Sequence, residues 1–200
     1  MSSNKSTVSG RYIIIVGICS FLIAVTMTLL SEYFASKLNS IILSLAFLLF
    51  ITSINILADL VGTATAAASH VPFNAQAAKR VKGATHGLRL VKNADRVANI
   101  CNDVIGDITT AVSGALGISI VVQIIRISPQ SDQYLLNVLL TAIISAVIVT
   151  GKAMGKKIAL SNPDRVVFFV GRMLERIERL TGLSLFQQRG LKSKQKVVKQ

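Results

Sequence analysis

Asn55 and Asp59 lie four residues apart inside an apolar run, and so share one face of any helix that run forms. A carboxylate at membrane depth is expensive unless it is partnered or wet. The pair therefore either hydrogen-bonds to a neighbouring helix or belongs to a polar site. Asp103 and Asp107 repeat the four-residue spacing. Acid–base work by two carboxylates would need a His, Ser or Cys placed beside them, and none is. His70 stands next to Pro72 and His86 in a basic stretch, which suits surface positions rather than metal ligation. Gly83 and Gly87 read as turn or packing glycines, since nothing around them makes a phosphate loop. The chain is not expected to be an enzyme. A membrane enzyme handling lipid phosphates finds no nucleophile constellation in support.

The elements that position these residues are membrane elements. The 200-residue chain is 52% hydrophobic and only 16% charged, where a soluble domain carries about 25% charged residues. Its mean hydropathy is +0.60. Apolar residues gather in runs and basic residues in the gaps between them. The net charge of +13 raises the possibility of nucleic acid. However, there is no Trp, few aromatics interleave with the basic residues, and no reader module is recognisable. Lys and Arg clustered on the cytoplasmic side of spans, beside anionic lipid, account for the charge. Cys19 and Cys101 are too distant along the chain to suggest a disulfide framework.

Four apolar segments are expected to span, since roughly 20 apolar residues cover the hydrocarbon core. The first covers residues 12–33, after Lys5 and Arg11. A signal peptide is its rival reading, but a signal core is only about 7–15 residues long. The second covers residues 41–62. A stretch of small residues, Pro72 and a basic run follow, predicting short cytoplasmic helices over 74–82 and 85–92. The third span covers residues 103–127, with Asp103, Asp107, Thr109 and Thr110 near its start and small residues that permit close helix packing. The fourth covers residues 134–153. Ser161-Asn162-Pro163-Asp164 then starts a helix, with a polar cap, a first-turn proline and an acid at the positive helix end. It runs to Leu180. Val166, Phe169, Val170, Met173, Ile177 and Leu180 are expected on one apolar face, opposite Arg172, Glu175, Arg176 and Arg179. Such a helix suits a membrane surface or a partner. The basic residues place both termini in the cytoplasm.

The order of motifs resembles the transmembrane domain of the cyclin M (CNNM)/CorB–CorC family of magnesium transport proteins. The counterparts are Gly62-Thr63-Ala64-Thr65-Ala66, Ile105-Gly106-Asp107, and Gly151-Lys152-Ala153-Met154-Gly155-Lys156 followed by Asn162-Pro163-Asp164-Arg165-Val166. The resemblance covers roughly residues 41–180. It implies an all-α integral membrane protein, a homodimer and Mg2+ as the ion handled, with no other cofactor. The departures are Ala64 and Lys152 where the family has Glu, Gly155 where it has Pro, and Asp107 where it has Asn. A shifted alignment puts Asn102 at that last position instead. The first span is an addition, and no paired CBS module follows within the chain.

The resemblance implies an ion site of Thr63, Thr65, Asp107 and Thr109, with Thr110, Asn55 and Asp59 supplying further oxygens. Magnesium wants oxygen ligands and sheds water reluctantly. Lys152 among those oxygens has three readings: a salt bridge with Asp107 that replaces the cation, a working but altered ion site, or a lysine reaching to the cytoplasmic surface. The expected division is an N-terminal tail and extra helix over 1–38, the family-like domain over 39–160 with a cytoplasmic insert over 63–102, an amphipathic juxtamembrane helix over 161–182, and a basic, disordered tail over 183–200. Two functions follow. One is divalent-cation transport in the cell membrane. The other is a non-transporting homologue, forming hetero-oligomers as a subunit or regulator of another transporter. Membrane lipid is a partner in both, and nucleic acid in neither.

Overall fold

In lipid, a spanning segment must satisfy its backbone internally, so apolar runs of this length fold as helices. The computed structural model describes residues 10–37 and 40–181, and the expected basic tail lies outside them. The described residues form α1 (Gly10–Lys37), α2 (Ile41–Ala67), α3 (His70–Ala78), α4 (Ala84–Lys92) and α5 (Ala94–Ala98). A π-helical turn (Asn99–Ile105), α6 (Gly106–Ile127), α7 (Gln133–Ser161) and α8 (Pro163–Thr181) follow. Among the described residues, three helices are long and apolar enough to cross a membrane: α2, the continuous rod Ala94–Ile127 made of α5, the π turn and α6, and α7. The apolar stretch in α1, Ile14–Leu30, is shorter.

Two cores hold these elements. Ile51 of α2, Ile108, Leu116 and Ile120 of α6, and Ile144 and Ile148 of α7 form one, inside the bundle. The second joins Ala64 of α2 and Ala159 of α7 to Phe73 of α3, Leu90 and Val91 of α4, and Val167 of α8. Outward faces stay apolar, as at Ile42, Phe50 and Leu57 of α2 and Leu139, Ile143 and Val149 of α7. Apolar surface on that scale suits lipid rather than water.

The helix ends differ from expectation for local reasons. α3 begins at His70, and Pro72 sits in its first turn, where no intrahelical N–H bond is required. Its cap is Ser69, whose hydroxyl accepts from Val71 N at 3.4 Å. α7 does not stop at residue 153 but continues through Lys152, Lys156 and Lys157 to Ser161. Gly151 and Gly155 both face α2: a Cβ on Gly151 would fall 2.2 Å from Ile56 Cδ1, while one on Gly155 would stand 3.6 Å from the Ile56 carbonyl oxygen. This is the close approach that a Gly-x-x-x-Gly pair permits. α2 likewise runs past Gly62 to Ala67, so Thr63 and Thr65 are helical.

α8 starts at Pro163 with Asp164 in its first turn. Its docked side differs from the predicted apolar face. Val167 and Gly171 are buried, while Phe169, Met173, Ile177 and Leu180 remain exposed. Docking is close because glycines meet: a Cβ on Gly171 would lie 2.5 Å from the Gly83 carbonyl oxygen and 2.9 Å from Gly87 N. Gly83 itself turns the chain at φ 83°, in the left-handed region glycine favours. Glu175 accepts from Gly83 N, Glu178 pairs with His86, and Asp164 Oδ1 accepts from Ser69 N at 3.1 Å. Polar contacts thus fasten α8 to the α3–α4 layer around an apolar centre.

Candidate cation site

The spacing of Asn55, Asp59 and Gly62, four and three residues, keeps all three on one face of α2. All three are buried in the bundle. Asn55 Nδ2 donates to Thr110 Oγ1 at 2.8 Å, which ties α2 to α6. Thr110 Oγ1 in turn donates to Gly106 O at 2.8 Å. Asn55 Oδ1 has no partner. Asp59 is 3% exposed and is the one buried carboxylate among the described residues. Its Oδ1 lies 3.8 Å from Lys156 Nζ, and its Oδ2 has no partner.

Asn102, in the π turn, packs onto the third position of this row. A Cβ on Gly62 would fall 2.1 Å from Asn102 Oδ1, so only glycine leaves room for that amide. Asn102 Oδ1 is also buried without a partner. A π turn carries one extra residue per hydrogen-bonded ring and frequently re-aims side chains at functional positions. Lys152 reaches the same region from α7. A Cβ on Gly106 would stand 3.4 Å from Lys152 Nζ and 3.7 Å from Asn55 Oδ1, so both side chains reach the same face of α6 at ordinary contact distance.

Among the described residues, four buried side-chain oxygens lack a partner, and three of them belong to Asn55, Asp59 and Asn102. Buried acceptors are normally paired. The bundle does pair polar groups elsewhere: Gln123 Nε2 donates to Ser44 Oγ at 3.0 Å, nearer the other end of α2. The row from Asn55 to Gly62 is thus a local concentration of unspent acceptor capacity, with two ammonium groups beside it. No protein-family model, curated protein or solved structure matches the chain. The chemistry of the site therefore rests on the residues themselves.

The residues expected at an ion site are each held in their own way. Asp107 is exposed on α6 and forms no ion pair with Lys152. Of the three readings of Lys152, the salt bridge with Asp107 is not formed here, and the ion pair in this region is Lys156 with Asp59. Thr65 donates to Val61 O at 2.8 Å, and Thr109 shares its proton between Ile105 O at 2.6 Å and Gly106 O at 3.0 Å. Such bonds satisfy a membrane threonine within its own helix. Thr63 is half-buried on the same helix. Asp103 is exposed and accepts from Asn99 Nδ2 at 2.7 Å. Among the described residues, no three His, Cys, Asp or Glu side chains converge. A cation at Asp59 would meet one carboxylate and its own water, with the Asn55 amide one turn along α2 on one side and Asn102, against Gly62, on the other. That set suits magnesium, which keeps several waters and takes one or two carboxylates.

Asn102 and Lys156 are the participants that sequence reasoning underweighted. The signal for Lys156 was its four-residue spacing from Lys152, matching that of Asn55 and Asp59. For Asn102 the signal was the alternative alignment of the Ile-Gly motif.

Proposed function

We propose that the chain is a multi-pass cell-membrane protein, with four crossings and both ends in the cytoplasm, that transports a divalent cation through an altered ion site. Magnesium is the ion whose coordination habits fit, and the working unit is a homodimer. The observation that carries this reading is the row of unpartnered buried oxygens on Asn55, Asp59 and Asn102 along one face of α2. An intramembrane carboxylate reads as functional by default. The resemblance to magnesium transport proteins points the same way.

Lys156 supplies the way such a site would work. Its side chain is 52% exposed, and its ammonium stands beyond hydrogen-bond distance from Asp59. A hydrated divalent ion reaching Asp59 would displace the ammonium toward the cytoplasm, and the returning lysine would expel the ion. The lysine acts as a tethered counter-ion that keeps the empty carboxylate neutralised.

A second reading is favoured by the same contact. With Lys156 beside the one buried carboxylate and Lys152 beside Asn55, the site is already occupied by built-in cations. The chain would then be a non-transporting homologue that assembles with another membrane transporter. Thermal unfolding of the purified protein over a magnesium titration separates the two. The transport reading expects the midpoint to climb with magnesium in native protein, and at lower magnesium in Lys156→Gln. At one hundred times Kd the gain is about 2.7 kcal/mol. A flat response in the native protein, with a rise appearing only in Lys152→Glu or Lys156→Gln, supports the second reading.

A further inference from the structure

The three sides of α8 do different things. Val167 and Gly171 face the protein. Successive helical positions turn by about 100°, which sets Phe169, Met173, Ile177 and Leu180 along a second side. All four are exposed. Arg172 and Arg176 lie on a third side next to it and are also exposed. Neither arginine pairs with a carboxylate among the described residues. α8 begins two residues after the end of α7, one of the helices able to span. It therefore stays close to the end of that span.

Two depressions meet on α8. One, of about 130 Å³, is bounded by Lys82, Arg172, Glu175, Arg176 and Arg179. Four cations surround one carboxylate there. That carboxylate is committed, since Glu175 accepts from Gly83 N and pairs with Arg179. The other, a more open groove of about 550 Å³, shares Arg172 and is lined by Pro72, Phe168 and Phe169, with Gln76, Arg165 and Asp164 also on it, the last already accepting from Ser69 N.

We propose that the basic notch seats the phosphate of an anionic phospholipid, whose glycerol and first acyl carbons lie along the aromatic groove. A free phosphate would use the arginines and leave the groove and the apolar stripe unexplained. A phospholipid uses all three. Arginine presents its donors in a fork that matches phosphate oxygens, and apolar side chains beside it reach the acyl boundary in the manner of interfacial helices.

The test uses full-length protein in phosphatidylcholine vesicles carrying trace spin-labelled phosphatidylglycerol or spin-labelled phosphatidylcholine. The motionally restricted fraction reports relative association. Each basic residue near an anionic lipid surface contributes about a fivefold preference. The native protein should favour phosphatidylglycerol by at least about fivefold. Arg172→Gln/Arg176→Gln should bring that preference close to unity. Arg176→Gln alone, at an exposed position, should reduce it and guards against misfolding of the double variant. Millimolar inorganic phosphate, matched in ionic strength by chloride, should leave the preference intact. Selectivity that is absent, or that survives in all the variants, overturns the proposal. Displacement by inorganic phosphate also overturns it, in favour of a free-anion site. An acidic protein partner would show itself as native protein without lipid selectivity.

Discussion

Asp59→Asn should make the protein more stable and leave it unable to respond to a divalent cation. The native carboxylate is 3% exposed, holds Lys156 only at 3.8 Å and has one oxygen without any partner. An under-satisfied buried charge destabilises a fold by about 1–3 kcal/mol or more. Asparagine keeps the shape and removes the charge. Lys156, half exposed, can then extend to the surface. We expect a gain of about 1–2 kcal/mol in unfolding free energy, read as a higher thermal midpoint in detergent, together with loss of any midpoint shift on adding magnesium. A site kept at the expense of stability is the usual mark of function. If Asp59 were an ordinary interhelical contact, the same substitution would lower the midpoint.

Gly171→Ala should release α8 from the α3–α4 layer. The added Cβ would come within 2.5 Å of Gly83 O and 2.9 Å of Gly87 N, all backbone atoms that no rotamer change can move. The layer must open, which costs about 1–3 kcal/mol for overpacking of this kind. Loss of the bonds from Glu175 to Gly83 and Glu178 to His86 would add to it. Amide exchange in α4 and α8 should speed up, while α2 and α6 keep their protection. Gly114→Ala is the control. Nothing lies within 4 Å of its Cβ position, so exchange and midpoint should stay near native. Equal behaviour of the two variants would mean that α8 is not held by this contact.

Much of the fold is legible in the apolar runs, because a spanning helix depends on length and hydropathy more than on detail. α2, α7 and the start of α8 at Pro163 follow from that and from cap chemistry. Asn55 and Asp59 are legible as a pair because four-residue spacing survives any tertiary arrangement. Less legible is which polar residues face them. The π turn at Asn99–Ile105 breaks the 3.6-residue phase ahead of α6. Asn102 packs against Gly62 while Asp103 and Asp107 stay exposed. A regular helical wheel cannot anticipate that rotation.

Lys156 escaped attention for a different reason. Sequence reading ended the last span at residue 153, whereas Gly151 and Gly155 carry α7 along α2 for two more turns. In α8 the periodicity identified an amphipathic helix but not its docked side. Val167, Gly171 and the exposed stripe at Phe169, Met173 and Ile177 are all apolar, and only the glycine contact with α4 decides between them.

The most direct measurement is magnesium entry into liposomes containing the purified full-length protein and a magnesium-sensitive dye, with and without a sodium gradient. Native protein, Asp59→Asn and Lys156→Gln would be compared. The account predicts flux by native protein above that of empty liposomes, and its loss in Asp59→Asn. Lys156→Gln should alter the rate, because the tethered counter-ion is gone. No flux by native protein under either gradient, or equal flux in native protein and Asp59→Asn, would contradict the account.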